Sequence, residues 1–103
     1  MSVTFENVIK NFISGMLDTE DGAVSTTTTL KIQGDQLIHY WTPIAERRAG
    51  KIIVNISRYS LATGKLQKQL KELVPQEKYV TVKGVHEGYK GSLTDFLPTG
   101  KEV

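Results

Sequence analysis

Residues 47–71 carry seven basic side chains, Arg47, Arg48, Lys51, Arg58, Lys65, Lys68 and Lys71, and no Asp or Glu. Positive charge at that density, without acids beside it, suits an anionic partner, because each Lys or Arg can neutralise a phosphate and release its condensed counterion. The whole chain is only +2, from 13 basic and 11 acidic residues, so the field is local. The first 35 residues hold two basic and five acidic groups, the remainder eleven and six. A chain polarised in this way steers anions toward one part of its surface. Trp41 lies just before the basic run and Tyr59 within it, and both offer rings on which bases can stack. The candidate anion- or nucleic-acid-binding set is therefore Arg47, Arg48, Lys51, Arg58, Tyr59, Lys65, Lys68 and Trp41. The competing reading is a solvated basic face with no ligand.

Catalytic chemistry finds few parts. The chain has no cysteine, which excludes disulfides, thiol catalysis and Cys-based zinc sites. His39 and His86 are the only histidines. His39 sits beside Tyr40 and Trp41 in a strand-like run, where a hydrogen-bonded structural role is expected. His86 adjoins Glu87, but neighbours on an extended chain point to opposite faces. No nucleophile, base and oxyanion set can be assembled, so no enzymatic activity, cofactor or metal site is expected. Asp18, Glu20 and Asp21 cluster in an acidic turn without the alternate spacing and terminal Glu of a calcium loop. Residues 84–91, GVHEGYKG, match neither glycine-rich phosphate-binding pattern, and a closing loop or hairpin is expected there.

The elements that would position these groups follow from periodicity. Phe5, Val8, Ile9, Phe12, Ile13 and Met16 recur at spacings of three and four, which predicts a helix over 3–14. Thr4 would cap it, Val3 and Val8 would staple it, and Gly15 would stop it. Residues 25–32, with four consecutive threonines, predict a strand in which Val24, Thr26, Thr28, Leu30 and Ile32 share a face. The turn at 33–36 leads to a strand over 37–41. Pro43 marks an edge, bulge or break before a strand over 44–48. A turn at Ala49-Gly50 then opens a strand over 51–57. In this arrangement Arg47, Arg48 and Lys51 would converge with Arg58, Tyr59 and the start of a second helix. That helix is capped by Ser60 or Thr63, carries Leu66, Leu70, Leu73 and Val74 as its apolar stripe, and is ended by Pro75. Residues 79–83 predict one further strand. Phe96 and Leu97 would dock and the last few residues fray. The expected fold is α+β: an N-terminal helix, an antiparallel meander of three to four strands, a second helix packed on the sheet, and a short additional strand.

At 103 residues the chain suits a single domain over 1–103 with one modest core. No apolar run approaches the ~18 residues of a membrane span, and no basic-then-apolar leader opens the chain. With no cysteine to oxidise, a cytoplasmic protein without membrane contact is expected.

One resemblance adds to this. Tyr40-Trp41-Thr42-Pro43-Ile44-Ala45, then Ile53-Val54-Asn55, Tyr59-Ser60, Thr63, Lys65 and Gln67 resemble a pattern in short proteins of unknown function from bacteriophages and mobile elements. The match spans about a third of the chain and departs from the pattern at Ala62, Gly64 and Leu66. It implies phage or plasmid origin and a bacterial cytoplasm, and transfers no site residues. The expected function is a non-catalytic phage or mobile-element protein that binds nucleic acid or a nucleotide through the basic segment. The alternative is a counter-defence protein that inhibits a host immune protein or sequesters a signalling nucleotide. A host protein or a second copy of the chain are the other partners to consider.

Overall fold

The stripe of Phe5, Val8, Ile9 and Phe12 folds as helix α1 (Phe5–Ile13), capped where the Thr4 hydroxyl oxygen accepts the Asn7 N–H at 3.2 Å. Glu6 and Lys10 pair at 2.8 Å one turn apart, a contact of the kind that steadies an exposed helix face. Gly15 ends the helix at φ +98, a conformation glycine enters without a Cβ penalty. The computed structural model describes residues 4–16, 23–25 and 29–97. The expected staple at Val3, the acidic turn at Asp18, Glu20 and Asp21, and the frayed tail from residue 98 lie outside the described residues.

The architecture is α+β. One five-stranded sheet runs in the order β1 (Leu30–Gln33), β2 (Gln36–His39), β3 (Thr42–Arg48), β4 (Lys51–Asn55) and β5 (Tyr79–Val82). The first four strands form the expected antiparallel meander. Helix α2 (Leu61–Leu73) follows β4, and β5 then pairs with β4 in parallel. The sheet is therefore mixed. The reason lies in lengths: α2 spans about 20 Å at its rise per residue, so it carries the chain back along β4 and delivers β5 in the same direction.

Two other expectations change. The strand expected over 25–32 doubles back on itself. Ser25 N–H donates to the Leu30 carbonyl at 2.8 Å and Ile32 N–H to that of Ala23 at 2.7 Å, with Val24 bridging antiparallel to Lys31. Val24 is accordingly exposed while Leu30 and Ile32 are buried, and Thr26 and Thr28 lie outside the described residues. The strand expected over 37–41 stops at His39, because Tyr40 enters the left-handed region at φ +59 and turns the chain. Pro43 sits inside β3 at a register shift. Leu37 pairs with Ala45 and Ile38 with Pro43, leaving Ile44 as the extra residue of a β-bulge. Both Ile44 and Ala45 are then buried in one core.

The sheet is packed on both faces, wholly on one and over β4 and β5 on the other. On one, α1 and α2 pack Val8, Ile9, Phe12, Leu66 and Leu70 against Leu30, Leu37, Ile52 and Val54. On the other, the C-terminal segment packs Val85 and Leu93 on Ile53 and Val82, with Phe96 and Leu97 docking as expected. Alternation along β4 explains this, Ile52 and Val54 facing the helices and Ile53 the tail.

The tail is held by a buried carboxylate. Glu46, 4% exposed, accepts from Leu93 N–H at 2.9 Å and the Gln36 amide at 3.0 Å through Oε1, and from the Ser92 hydroxyl at 2.7 Å through Oε2. A carboxyl group taken from water this completely needs such hydrogen-bond partners. Glu46→Ala strips the acceptor from those donors and should lower unfolding free energy by about 2–3 kcal/mol, measured by urea denaturation. Stability within error of wild type would show that the tail is held by apolar contacts alone.

Candidate functional site

The antiparallel β3–β4 hairpin divides the basic segment. Arg47, Arg48 and Lys51 cluster at the turn, where Arg48 pairs with Lys51. Arg58, Tyr59, Lys65 and Lys68 follow the opposite end of β4, and β4 alone separates the two groups by about 13 Å. The expected convergence does not occur, because each residue of extended strand carries the chain further from the turn.

The turn cluster is largely committed to the fold. Arg47 donates through Nη1 to the carbonyls of Phe12 (3.0 Å) and Met16 (2.8 Å), and through Nη2 to that of Gly34 (2.8 Å). Its guanidinium also lies 4.7 Å from the centre of the Phe12 ring. It thus adds a donor to the Phe12 carbonyl in the last turn of α1, holds the segment just beyond that helix at Met16, and ties both to the β1–β2 turn. Lys51 Nζ donates to the Glu77 carbonyl at 2.7 Å. Arg48 is exposed, 4.0 Å from Glu46. The hollow beside these residues includes Asp35, which offsets their charge.

The other end of the sheet is organised by Asn55, which is fully buried. Its Nδ2 donates to the Pro43 carbonyl at 3.0 Å and the Tyr59 hydroxyl at 2.9 Å, and its Oδ1 accepts Ser57 N–H at 3.0 Å. The Tyr59 hydroxyl donates in turn to the Val85 carbonyl. Gln67, on α2, donates to the Asn55 and Ser57 carbonyls at 2.7 and 2.8 Å. The irregular segment 56–60 therefore has a determined path, and Tyr59, expected as a stacking platform, serves first as a strut. Ser60 then caps α2, its hydroxyl oxygen accepting Thr63 N–H at 3.3 Å.

Beside that cap lies a groove of about 630 Å³ lined by Ile56, Arg58, Leu61, Lys65 and Lys68, with no acidic residue in its walls. Leu61, Lys65 and Lys68 recur at spacings of four and three, which places them along one side of α2. The first turn of α2 holds no acid, so the partial positive charge of the helix start is not offset there. Among the described residues none of the three cations forms an ion pair. A smaller cleft of about 170 Å³ adjoins, sharing Tyr59 and Ser60 with the groove and adding Tyr40, Trp41 and Glu87. Trp41 thus stands at this end, 58% exposed. Sequence reasoning missed Tyr40, Ile56 and Leu61. The adjacent Tyr40-Trp41 pair was the available signal, since two large rings at a turn cannot both reach the core.

His39 is buried, with Nδ1 hydrogen-bonded to the Thr63 hydroxyl at 2.9 Å and its ring 6.2 Å from that of Phe5, edge-on. His86 is exposed and edge-on to Tyr89. Among the described residues no group of three His, Asp or Glu could hold a metal ion, and no helix is long and apolar enough to cross a membrane.

Burial holds the His39 imidazole below its ordinary value of 6.5. The unfolded chain therefore binds a proton at higher pH than the folded chain, and stability rises with pH between the two values. Stability should fall as pH drops below about 6.5, level off beneath the folded value, and lose this component in His39→Gln. Denaturation midpoints across that range check it; an identical profile in the variant would contradict it.

Compared with family models, with curated proteins and with solved structures, the chain matches none, so a functional reading has to rest on its own residues.

Proposed function

We propose that this protein is a non-catalytic module that binds a nucleic-acid strand at the α2 end of its sheet. The observation that supports this is the groove in which Arg58, Lys65 and Lys68 stand exposed, without a carboxylate in its walls, beside the start of α2. Cations that are not committed to the fold are available to phosphates. The groove is positioned by the Asn55 network, so its walls need little ordering when a ligand arrives. Of the eight candidates, Arg58, Lys65, Lys68 and Trp41 support this reading, Arg47, Lys51 and Tyr59 are bonded into the fold, and Arg48 stands at the other end of the β3–β4 hairpin. A second reading, a phage counter-defence protein that grips a host protein, draws support from Leu61, 89% exposed, and Ile56, 45% exposed, on the same groove.

Binding to short single-stranded oligonucleotides should weaken steeply with salt. Neutralising three phosphates on a single strand gives a slope of about −2 in log affinity against log salt. The double variant Lys65→Glu/Lys68→Glu should bind roughly tenfold or more weakly with an unchanged melting curve, because exposed charges contribute little to stability. Arg48→Glu, at the β3–β4 turn, should bind as wild type does. Failure of every oligonucleotide and cyclic nucleotide to bind at low salt would transfer the groove to a protein partner.

A further inference from the structure

A second cleft lies on the sheet face opposite the helices. The C-terminal segment covers β4 and β5 on that face and stops where Gln36 donates to the Gly91 carbonyl at 3.0 Å. The open area beyond, over β1 and β2, forms a cleft of about 340 Å³, within the usual range for small-molecule sites. Its walls are the rings of Tyr40 and Trp41 on one side and Tyr89 on the other; Lys31 and Lys90 supply charge, and no Asp or Glu lines it. We infer that this cleft takes a base of single-stranded nucleic acid with its phosphate, and that it is a second station for the strand held by the α2 groove. The inference rests on the function proposed above.

Three features support that occupant. Exposed rings stack on any base, and the two lysines match the phosphates. The amide of Gln33, exposed at the cleft, can pair with base edges. The rings are also held in place rather than loosely displayed. A Cβ at Gly88, whose φ is +80, would stand 3.0 Å from the Trp41 indole, so a larger residue there would press on that ring and strain the backbone. Gly88 N–H is itself anchored on the Thr42 hydroxyl at 2.9 Å. Tyr89 is fixed edge-on against Phe96 at 4.8 Å, and its hydroxyl donates to Asp95.

Continuity links the stations. Tyr40 and Trp41 line both this cleft and the small one by α2, and Tyr59 and Ser60 line both the small cleft and the groove. A strand can therefore pass from Lys31 and Lys90, around Trp41, to Arg58, Lys65 and Lys68. Among the described residues two carboxylates stand beside this path, Glu87 in the small cleft and Asp95 on the Tyr89 hydroxyl.

Trp41 is the chain's only tryptophan, so its emission reports on the cleft. Oligothymidylates and oligouridylates of graded length, carrying an anisotropy label, are titrated while Trp41 fluorescence is followed. Quenching should saturate together with anisotropy, and affinity should rise with length until both stations are filled. Lys31→Glu/Lys90→Glu should bind the longer strands roughly tenfold more weakly, with folding verified by circular dichroism. Binding that depends on Lys65 and Lys68 but leaves Trp41 emission and the Lys31/Lys90 variant unchanged would overturn this cleft and keep the α2 groove. Absence of any binding would overturn both.

Discussion

The end of the sheet that carries Trp41 and the α2 groove depends on one buried side-chain amide. Asn55 has no solvent exposure, so its donors and acceptor must all be met inside the protein. They are met by three pieces of chain distant from one another: Pro43 at the bulge of β3, the 57–59 segment, and through Tyr59 the Val85 strand exit. An apolar side chain of similar size would fill the space but leave those groups unpaired, at about 1–3 kcal/mol each. The amide therefore determines where the 56–60 segment runs, and with it where Ser60 starts α2 and which way Arg58, Lys65 and Lys68 project.

Arg47 and Glu46, adjacent on β3, show how charge is divided between architecture and surface. Arg47 reaches toward the helices and closes the end of α1; Glu46 reaches the other face and closes the start of the C-terminal helical turn at Leu93. Each works because neighbouring strand residues face opposite sides. Arg47, donating to three backbone carbonyls, and Lys51, donating to one, are thereby drawn into the fold, which leaves fewer of the seven basic residues to a ligand.

Much of the fold was legible beforehand. Helices α1 and α2 announce themselves by 3.6-residue periodicity with Thr4 and Ser60 as caps, and the hairpin turns by Gly34 and by Ala49-Gly50. The reversal between residues 25 and 30 was not legible, because β-branched threonines mark extended backbone and contain no turn residue. The parallel pairing of β5 was hidden for a different reason: it follows from the length of α2 rather than from any pattern in residues 79–82. The site was half legible. Charge composition pointed to Arg58, Lys65 and Lys68, but composition cannot say that Arg47 and Lys51 find carbonyl partners, or that Lys31 and Lys90, 59 residues apart, line one cleft.

The central claim is that ligand binding occupies the Trp41 end of the sheet and not the Arg47–Lys51 hairpin. Amide chemical-shift mapping during titration with a short oligothymidylate tests it most directly. The account predicts perturbations at Lys31, Tyr40, Trp41, Arg58, Lys65, Lys68 and Lys90, with Arg48, Ala49 and Gly50 unmoved. Shifts centred on that hairpin, with the Trp41 end silent, would contradict it.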